Sequence, residues 1–461
     1  MTPALPATPS DRFAAGLAEV CQFVSTLTWD AIPDAVRQRA VDVLCDDLAA
    51  MAAAAPEPEL RRYAALLTAR AGAAESPLLS PALPRVGRME AASWNALAGN
   101  WCELDEGFRL AICHAGIYTL PALLAEATAT RARLRDVLTA LTGAYELVTR
   151  CAMSFHVMPP PVHGHALWSA VGAAAAVSLL RGHDAQTLLR AVSGAITTAS
   201  MGPRSHLMAG VLIRNGWAAA GAVNGMQCAD WAECGFGGSP ASMEEVCAGI
   251  VKASLREGEI TRELGTRWSL SHGYQKLYSC CQHGHSAVQA CLALRADPAF
   301  EPARIRAIRL DTHPLALTLD TVHPTTTLGA RFSMPHMVAA ALALGTGSAA
   351  AFSQSTLSDP AVAALREQVR MRLADAPMPA PHDRPAWLEV ELDDGRVLRA
   401  SCLSATGSPD NPVTPAQFED KLARLGADVL PRLPQAIAPA AWQAALDEET
   451  GAWLAALARR A

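Results

Sequence analysis

Alanine sets the terms on which this chain folds. Through the first half of the sequence, apolar residues recur every three or four positions, the signature of helices with a buried face. Phe13, Leu17, Val20, Val24 and Leu27 form one such stripe behind Ser10-Asp11, residues suited to capping a helix N-terminus. Val36, Val43, Leu44, Leu48 and Met51 form a second. Further helices are expected at Met89–Trp101, Leu134–Tyr145, His165–Leu180, Ala185–Ser200 and Trp217–Trp231, nearly all alanine-rich, with a Pro/Ser-rich loop at Glu75–Arg88. Small side chains let helices approach closely, so this half predicts a compact helical bundle.

After about Gly265 the texture changes. Arg304–Thr312, carrying Ile305, Ile308 and Leu310, reads as a strand. Trp387–Leu392 alternates Leu388, Val390 and Leu392 on one face, and Asp393-Asp394-Gly395 turns it into Arg396–Ala400, a hairpin pattern. Between them, one helix is expected from Ser333 with Pro335 just inside. Another starts at Asp359-Pro360 and carries Val362, Leu365 and Val369. Thr414-Pro415-Ala416-Gln417 is a capping box that opens a further helical stretch through Phe418, Leu422 and Leu425. The expected fold is mostly α: a large helical domain from residues 1–265 and 403–461, and a smaller α+β lid from residues 266–402.

Composition narrows the function classes. Hydrophobic residues at 51% against 18% charged provide ample surface for burial and argue against disorder. A formal net charge of -6 argues against a nucleic-acid or anionic-membrane surface. The apolar runs Ala166–Leu180 and Met337–Leu344 are shorter than the roughly 20 residues of a membrane span. Met1–Ser10 lacks the basic and apolar regions of a signal peptide. No C-x-x-C pair occurs among the 12 cysteines, which weakens zinc-ribbon and iron–sulfur readings. The cytoplasm is the expected compartment.

Three segments concentrate polar chemistry within apolar surroundings. The first is Asn100–Gly107, with Glu103, Asp105 and Glu106, followed by His114-Ala115-Gly116. Carboxylates this close push at least one pKa up, as acid/base catalysis requires, although a solvated helix end also carries such acids. The second is Pro159-Pro160-Pro161-Val162-His163-Gly164-His165, two histidines ahead of a long alanine helix. Its positive N-terminal end suits an anionic ligand and a neutral imidazole, and a capping histidine in a proline loop is the plainer alternative. The third is Tyr274–His285, where Lys276 is either a carboxylate anchor or an ordinary surface residue. Cys281, His283 and His285 there resemble metal ligands but lack a fourth partner at standard spacing, so no metal is expected.

Taken in order, these segments resemble the MmgE/PrpD family, which includes 2-methylcitrate dehydratase, cis-aconitate decarboxylase and iminodisuccinate epimerase. Glu103-Leu104-Asp105-Glu106 is similar to the family's Asp-Phe-Asp-Asp run, with His114 in its His-Pro-Ser element. Val162-His163 ahead of Val171–Ala176 resembles its Phe-His element and alanine helix. Asn215-Gly216-Trp217-Ala218-Ala219, Lys276–Cys281 with His285, and Ala330-Arg331-Phe332-Ser333-Met334-Pro335 resemble three later elements. The resemblance implies a cofactor-independent hydro-lyase acting on a small di- or tricarboxylic acid, or a related epimerase or decarboxylase, usually homodimeric.

It assigns catalysis to Asp105, His114, His163 and Lys276, with Glu103 a substituted match. In that reading Lys276 holds a substrate carboxylate, His163 acts as base or acid, and His114 with Asp105 orients or delivers the second proton. His285 and Arg331 belong to its expected substrate-binding set. Two departures stand out: the threonine expected shortly after the acidic run is absent, its position being Gly107 or nearby, and Val211 replaces a lysine. Arg204, His206 and Arg214 are the candidates to supply the missing positive charge, because guanidinium binds carboxylate bidentately. A catalytically lapsed carboxylate-binding paralogue is the alternative from another class.

Overall fold

The computed structural model describes residues 9–158, 160–375 and 378–460. Residues 1–8, most of the segment expected to lack a signal peptide, and Pro159 of the proline loop lie outside these residues. Helix makes up 57% of the chain and strand 10%, so the fold is mostly α.

Among the described residues, ten α-helices occupy the first half: α1 (Pro9–Ser25), α2 (Asp34–Ala53), α3 (Pro58–Arg70), α4 (Arg88–Trp101), α5 (Ala115–Thr130), α6 (Leu134–Ser154), α7 (Gly164–Leu180), α8 (Ala185–Thr197), α9 (Arg204–Met208) and α10 (Gly216–Glu233). At α7 the alanine-rich sequence becomes architecture. It is buried from Gly164 to Ser178, which is where a helix apolar on every face has to go. α5, α6, α8 and α10 all pack around it. Gly221 and Gly225, one turn apart on α10, face Ser169–Ala174 of α7. A Cβ on Gly225 would lie 2.5 Å from both the Ala170 carbonyl oxygen and the Ala173 Cβ. Only hydrogen fits there, and the two backbones close to contact.

The second half holds a four-stranded sheet. Its strands are β1 (Ile305–Thr312), β2 (Val369–Leu373), β3 (Ala386–Leu392) and β4 (Val397–Cys402), in the order β4-β3-β1-β2. β3 pairs antiparallel with β4 and with β1, while β1 and β2 run parallel. Ile308 sits opposite both Val390 and Val369, all three buried. The helices His285–Leu294 and Met334–Leu344 pack together here, the first against β3 and β4 and the second against β2. Ser333 caps the latter by accepting from the His336 N–H at 3.1 Å, and Asp359 caps the helix Pro360–Gln368. Val369, expected on that helix, instead begins β2. A β-branched residue there fills the sheet's buried row opposite Ile308.

Buried apolar side chains form two clusters. One runs from Phe13 to Leu270 and resumes from Phe418 to Leu457; the other holds Leu207 and residues from Cys280 to Ala405. The capping box at Thr414 is formed, and its helix, Pro415–Gly426, packs on α2. There Lys421 reaches Asp46 at 2.6 Å, both side chains buried. Among the described residues, no helix is long and apolar enough to cross a membrane.

Candidate active site

The acidic run begins where α4 ends. Glu103 has φ of 53°, the left-handed conformation that ends many helices and usually belongs to glycine. A carboxylate side chain occupies it here because two cations hold it: Arg214 at 2.6 Å and Lys276 at 3.2 Å. The chain then continues into a two-residue strand, Gly107–Phe108, antiparallel to Gly273–Tyr274. This short ladder sets the register that brings the Lys276 Nζ within 3.1 Å of Asp105. Gly107 is required by the same pairing, since the Tyr274 ring fills the space a side chain would need. A threonine at this position has no room.

All three acids are buried, so the reading of a solvated helix end does not hold. Their charges divide by partner. Burial pushes Asp105 and Glu103 up, but Lys276 and His114 around Asp105, and Arg214 and Lys276 around Glu103, outweigh it and hold both below the usual carboxylate range. Glu106 goes the other way. Burial raises it, reinforced by the neighbouring Asp105 charge, despite hydrogen bonds from the Gly116 N–H at 2.6 Å and the Tyr145 hydroxyl at 3.1 Å. Asp47 of α2, which accepts from the Glu106 N–H at 3.1 Å, is raised for the same reasons. Lys276 is driven down by burial, yet Asp105 and Glu103 prevail and keep it cationic.

His114 sits just ahead of α5. Its Nδ1 lies 2.7 Å from Asp105 Oδ2 and 2.9 Å from the Glu106 carbonyl oxygen. Both neighbours are acceptors, so Nδ1 carries the proton and Nε2 is left for other chemistry. His163 shows the reverse arrangement. As N-cap of α7 it accepts the His165 N–H on Nδ1 at 3.2 Å, which puts the proton of its neutral ring on Nε2. Burial, with the Arg214 charge, pushes His163 well below the ordinary histidine value. His165 stands edge-on to both rings, 4.9 Å from His114 and 4.6 Å from His163, and pairs through Nδ1 with the Tyr118 hydroxyl at 2.9 Å.

These groups border a cleft of about 790 Å³, counting the space open to solvent. His114, His163, Lys276, Glu103, Arg204 and Arg214 all line it, drawn together from across the sequence. Asp105 does not; it lies fully buried behind His114 and Lys276, bonded to both. Lys276 makes its ion pairs with Glu103 and Asp105, so its charge is committed within the protein rather than left open as a carboxylate anchor.

Three residues expected to bind substrate lie outside the cleft wall. His285 is buried with Nε2 3.2 Å from the Cys280 carbonyl oxygen. Arg331 is buried beside the Ser279 hydroxyl, at 3.3 Å, and Glu57, at 3.6 Å. His206 stacks on Trp217 at 6.3 Å. Val211, at the position of the absent lysine, is 39% exposed and also outside the wall. Cys281 and His283 line the cleft, but no group of three or more His, Cys, Asp or Glu among the described residues is arranged to hold a metal ion.

Sequence reasoning missed Arg384, Tyr274 and Gln282 in the wall, and Asp46 and Asp47 beneath it. Asp46-Asp47 did leave a signal, two acids inside the apolar stripe of α2. Arg384 left none, because nothing near it in the sequence places it beside Gln282.

Residues 18–263 match the family model of the MmgE/PrpD N-terminal domain, and residues 278–444 that of the MmgE/PrpD C-terminal domain. No curated protein matches the chain. With both models met in order over nearly its whole length, the chain belongs to the MmgE/PrpD family.

Proposed function

We propose that the chain is a cofactor-independent hydro-lyase of the 2-methylcitrate dehydratase type, removing water from a small di- or tricarboxylic acid by proton transfer. The observation that carries the reading is the pairing of His114 with Asp105 at 2.7 Å beside a neutral His163 on the same cleft. A base needs an unprotonated nitrogen facing the substrate, and a carboxylate on its far nitrogen raises its basicity. His114 has this arrangement, so it takes the base role. It removes a proton from the carbon next to a carboxylate, the C–H electron pair becomes the new double bond, and the C–O bond breaks.

His163 presents Nε2–H. Losing that proton outright would leave an imidazolate, so its role is to hydrogen-bond the departing oxygen and stabilise its charge. The proton gathered by His114 then leaves with hydroxide as water, and no net proton is consumed. Asp105 is a positioning residue, and Lys276 keeps its charge in place.

The proposal extends to a helical body of residues 1–265 and 403–461 with a lid of residues 266–402. Support comes from the two apolar clusters and from a cleft wall drawn from both stretches. Following the family, it also includes a homodimer working in the cytoplasm.

The presence of two histidines on one cleft favours a second reading, an epimerase or decarboxylase of a related acid. It would use the same carbanion-like state with a different fate. Incubation with citrate, 2-methylcitrate, cis-aconitate and iminodisuccinate in deuterated water separates the readings. A hydro-lyase gives alkene absorbance from a hydroxy acid. An epimerase gives deuterium at carbon without alkene, and a decarboxylase releases carbon dioxide. Failure of all four acids, and of the hydroxy dicarboxylate 2-butylmalate, to react would overturn the enzyme reading.

A further inference from the structure

The geometry points to a dianionic ligand, a dicarboxylate bearing an apolar substituent, held by Arg204 and Arg384. This rests on the cleft being the substrate site, and it follows from accounting for charge. Four cations line the wall: Arg204, Arg214, Lys276 and Arg384. Two are matched within the protein, because Arg214 pairs with Glu103 at 2.6 Å and Lys276 with Asp105 at 3.1 Å. Arg109, which acts electrostatically on Arg384, is itself paired with Asp383. Arg204 and Arg384 remain.

Arg204 donates to the Thr318 hydroxyl at 3.3 Å, and Arg384 donates to the Gln282 side-chain oxygen. Neither forms an ion pair among the described residues. Both act on the same ring, since burial and then the Arg384 and Arg204 charges drive the His283 imidazole down and leave it neutral. The cleft therefore has two guanidinium groups with no carboxylate of their own, and each can bind one bidentately. A dicarboxylate matches that charge. A tricarboxylate would bring a third negative charge into a half-enclosed site with no open cation to meet it.

Much of the remaining wall is apolar, including Phe108, Ile112, Leu207, Leu319 and Phe332. Ile112, Met158 and Pro160 are shared with a second cleft of about 620 Å³, whose own wall includes Phe155, Leu167 and Trp168. A hydroxyl- or carboxyl-bearing arm finds few partners on this side. An alkyl arm gains about fourfold in affinity for each methylene it buries.

Calorimetric titration of the full chain with succinate, 2-butylsuccinate and propane-1,2,3-tricarboxylate tests the inference. The expected result is that 2-butylsuccinate binds at least tenfold more tightly than either of the others. Arg204→Gln and Arg384→Gln should each weaken it by at least about tenfold, while Arg204→Lys and Arg384→Lys lose less. Equal or tighter binding of the tricarboxylate would overturn the assignment. So would an Arg384→Gln protein that melts like the parent and binds 2-butylsuccinate within twofold of it. Should the glutamine variants fail to fold, the ligand order and the lysine variants decide. Binding in the expected order with no alkene formed from citrate, 2-methylcitrate or 2-butylmalate would overturn the hydro-lyase reading and support the dianion site. Deuterium uptake confined to a tricarboxylate would do the reverse.

Discussion

Replacing Asp105 by asparagine removes one negative charge from a fully buried position that serves two partners, His114 at 2.7 Å and Lys276 at 3.1 Å. Breaking a buried ion pair costs about 3–5 kcal/mol, and the retained Glu103–Lys276 contact puts this variant near about 3 kcal/mol. The effect on chemistry should be larger than the effect on folding. The new amide has one oxygen, and Lys276, which can only donate, claims it. The amide N–H₂ then faces His114 Nδ1, and the Glu106 carbonyl at 2.9 Å is left as the acceptor of its proton. The base is weakened with the ring still in place, because the carboxylate that raised its basicity is gone. A loss of general base function is worth roughly 10²–10⁴ in rate.

The assay is solvent-deuterium uptake into the active acid, alongside thermal melting and a proton–nitrogen NMR spectrum of the His114 ring. Asp105→Asn should lose about two to four orders of magnitude in rate with substrate affinity much less affected. Adding His114→Gln should cost little more, because the two residues act as a unit. A folded Asp105→Asn protein working within about threefold of the parent would refute the assignment of His114 as base.

Three further outcomes follow from buried groups. Glu106 is held above its unfolded pKa, so its contribution to stability is present below about pH 4 and is lost as pH rises toward the raised folded value. Glu106→Gln should therefore stabilise the protein increasingly from pH 5 to about pH 8 in melting experiments and level off above it, and a difference that shrinks over that range would contradict this. Lys421→Met leaves Asp46 charged and buried without its 2.6 Å partner and should cost about 3–5 kcal/mol, while adding Asp46→Asn should recover much of that in denaturant titrations. Gly225→Ala gains about 1 kcal/mol of helix propensity but forces α7 and α10 apart, an overpacking cost of about 1–3 kcal/mol, so its melting temperature should fall.

What the sequence determined by itself was whatever depends on neighbours along the chain. The stripe from Phe13 to Leu27 and the alanines of α7 specify helices, because periodicity and side-chain size act locally. Ser333, Asp359 and Thr414 mark their helix starts because a capping side chain bonds a backbone N–H two or three residues on. The segments bearing Glu103, His114, His163 and Lys276 were legible too, as polar residues standing in apolar sequence and in an order that resembles a family. Only the tertiary structure decided what those residues touch. Whether Lys276 is an open anchor or a committed counter-ion turns on a two-residue ladder between Gly107–Phe108 and Gly273–Tyr274. Whether a histidine is a base or a donor turns on which ring nitrogen meets Asp105 and which meets a backbone N–H. Val369 begins a strand rather than ending a helix because it pairs with Ile308, and Arg384 stands at the cleft beside Gln282, 102 positions away in the sequence. Charge and hydrogen bonding act over a few ångströms of space, and the distance between two residues along the chain says nothing about that space until the chain has folded.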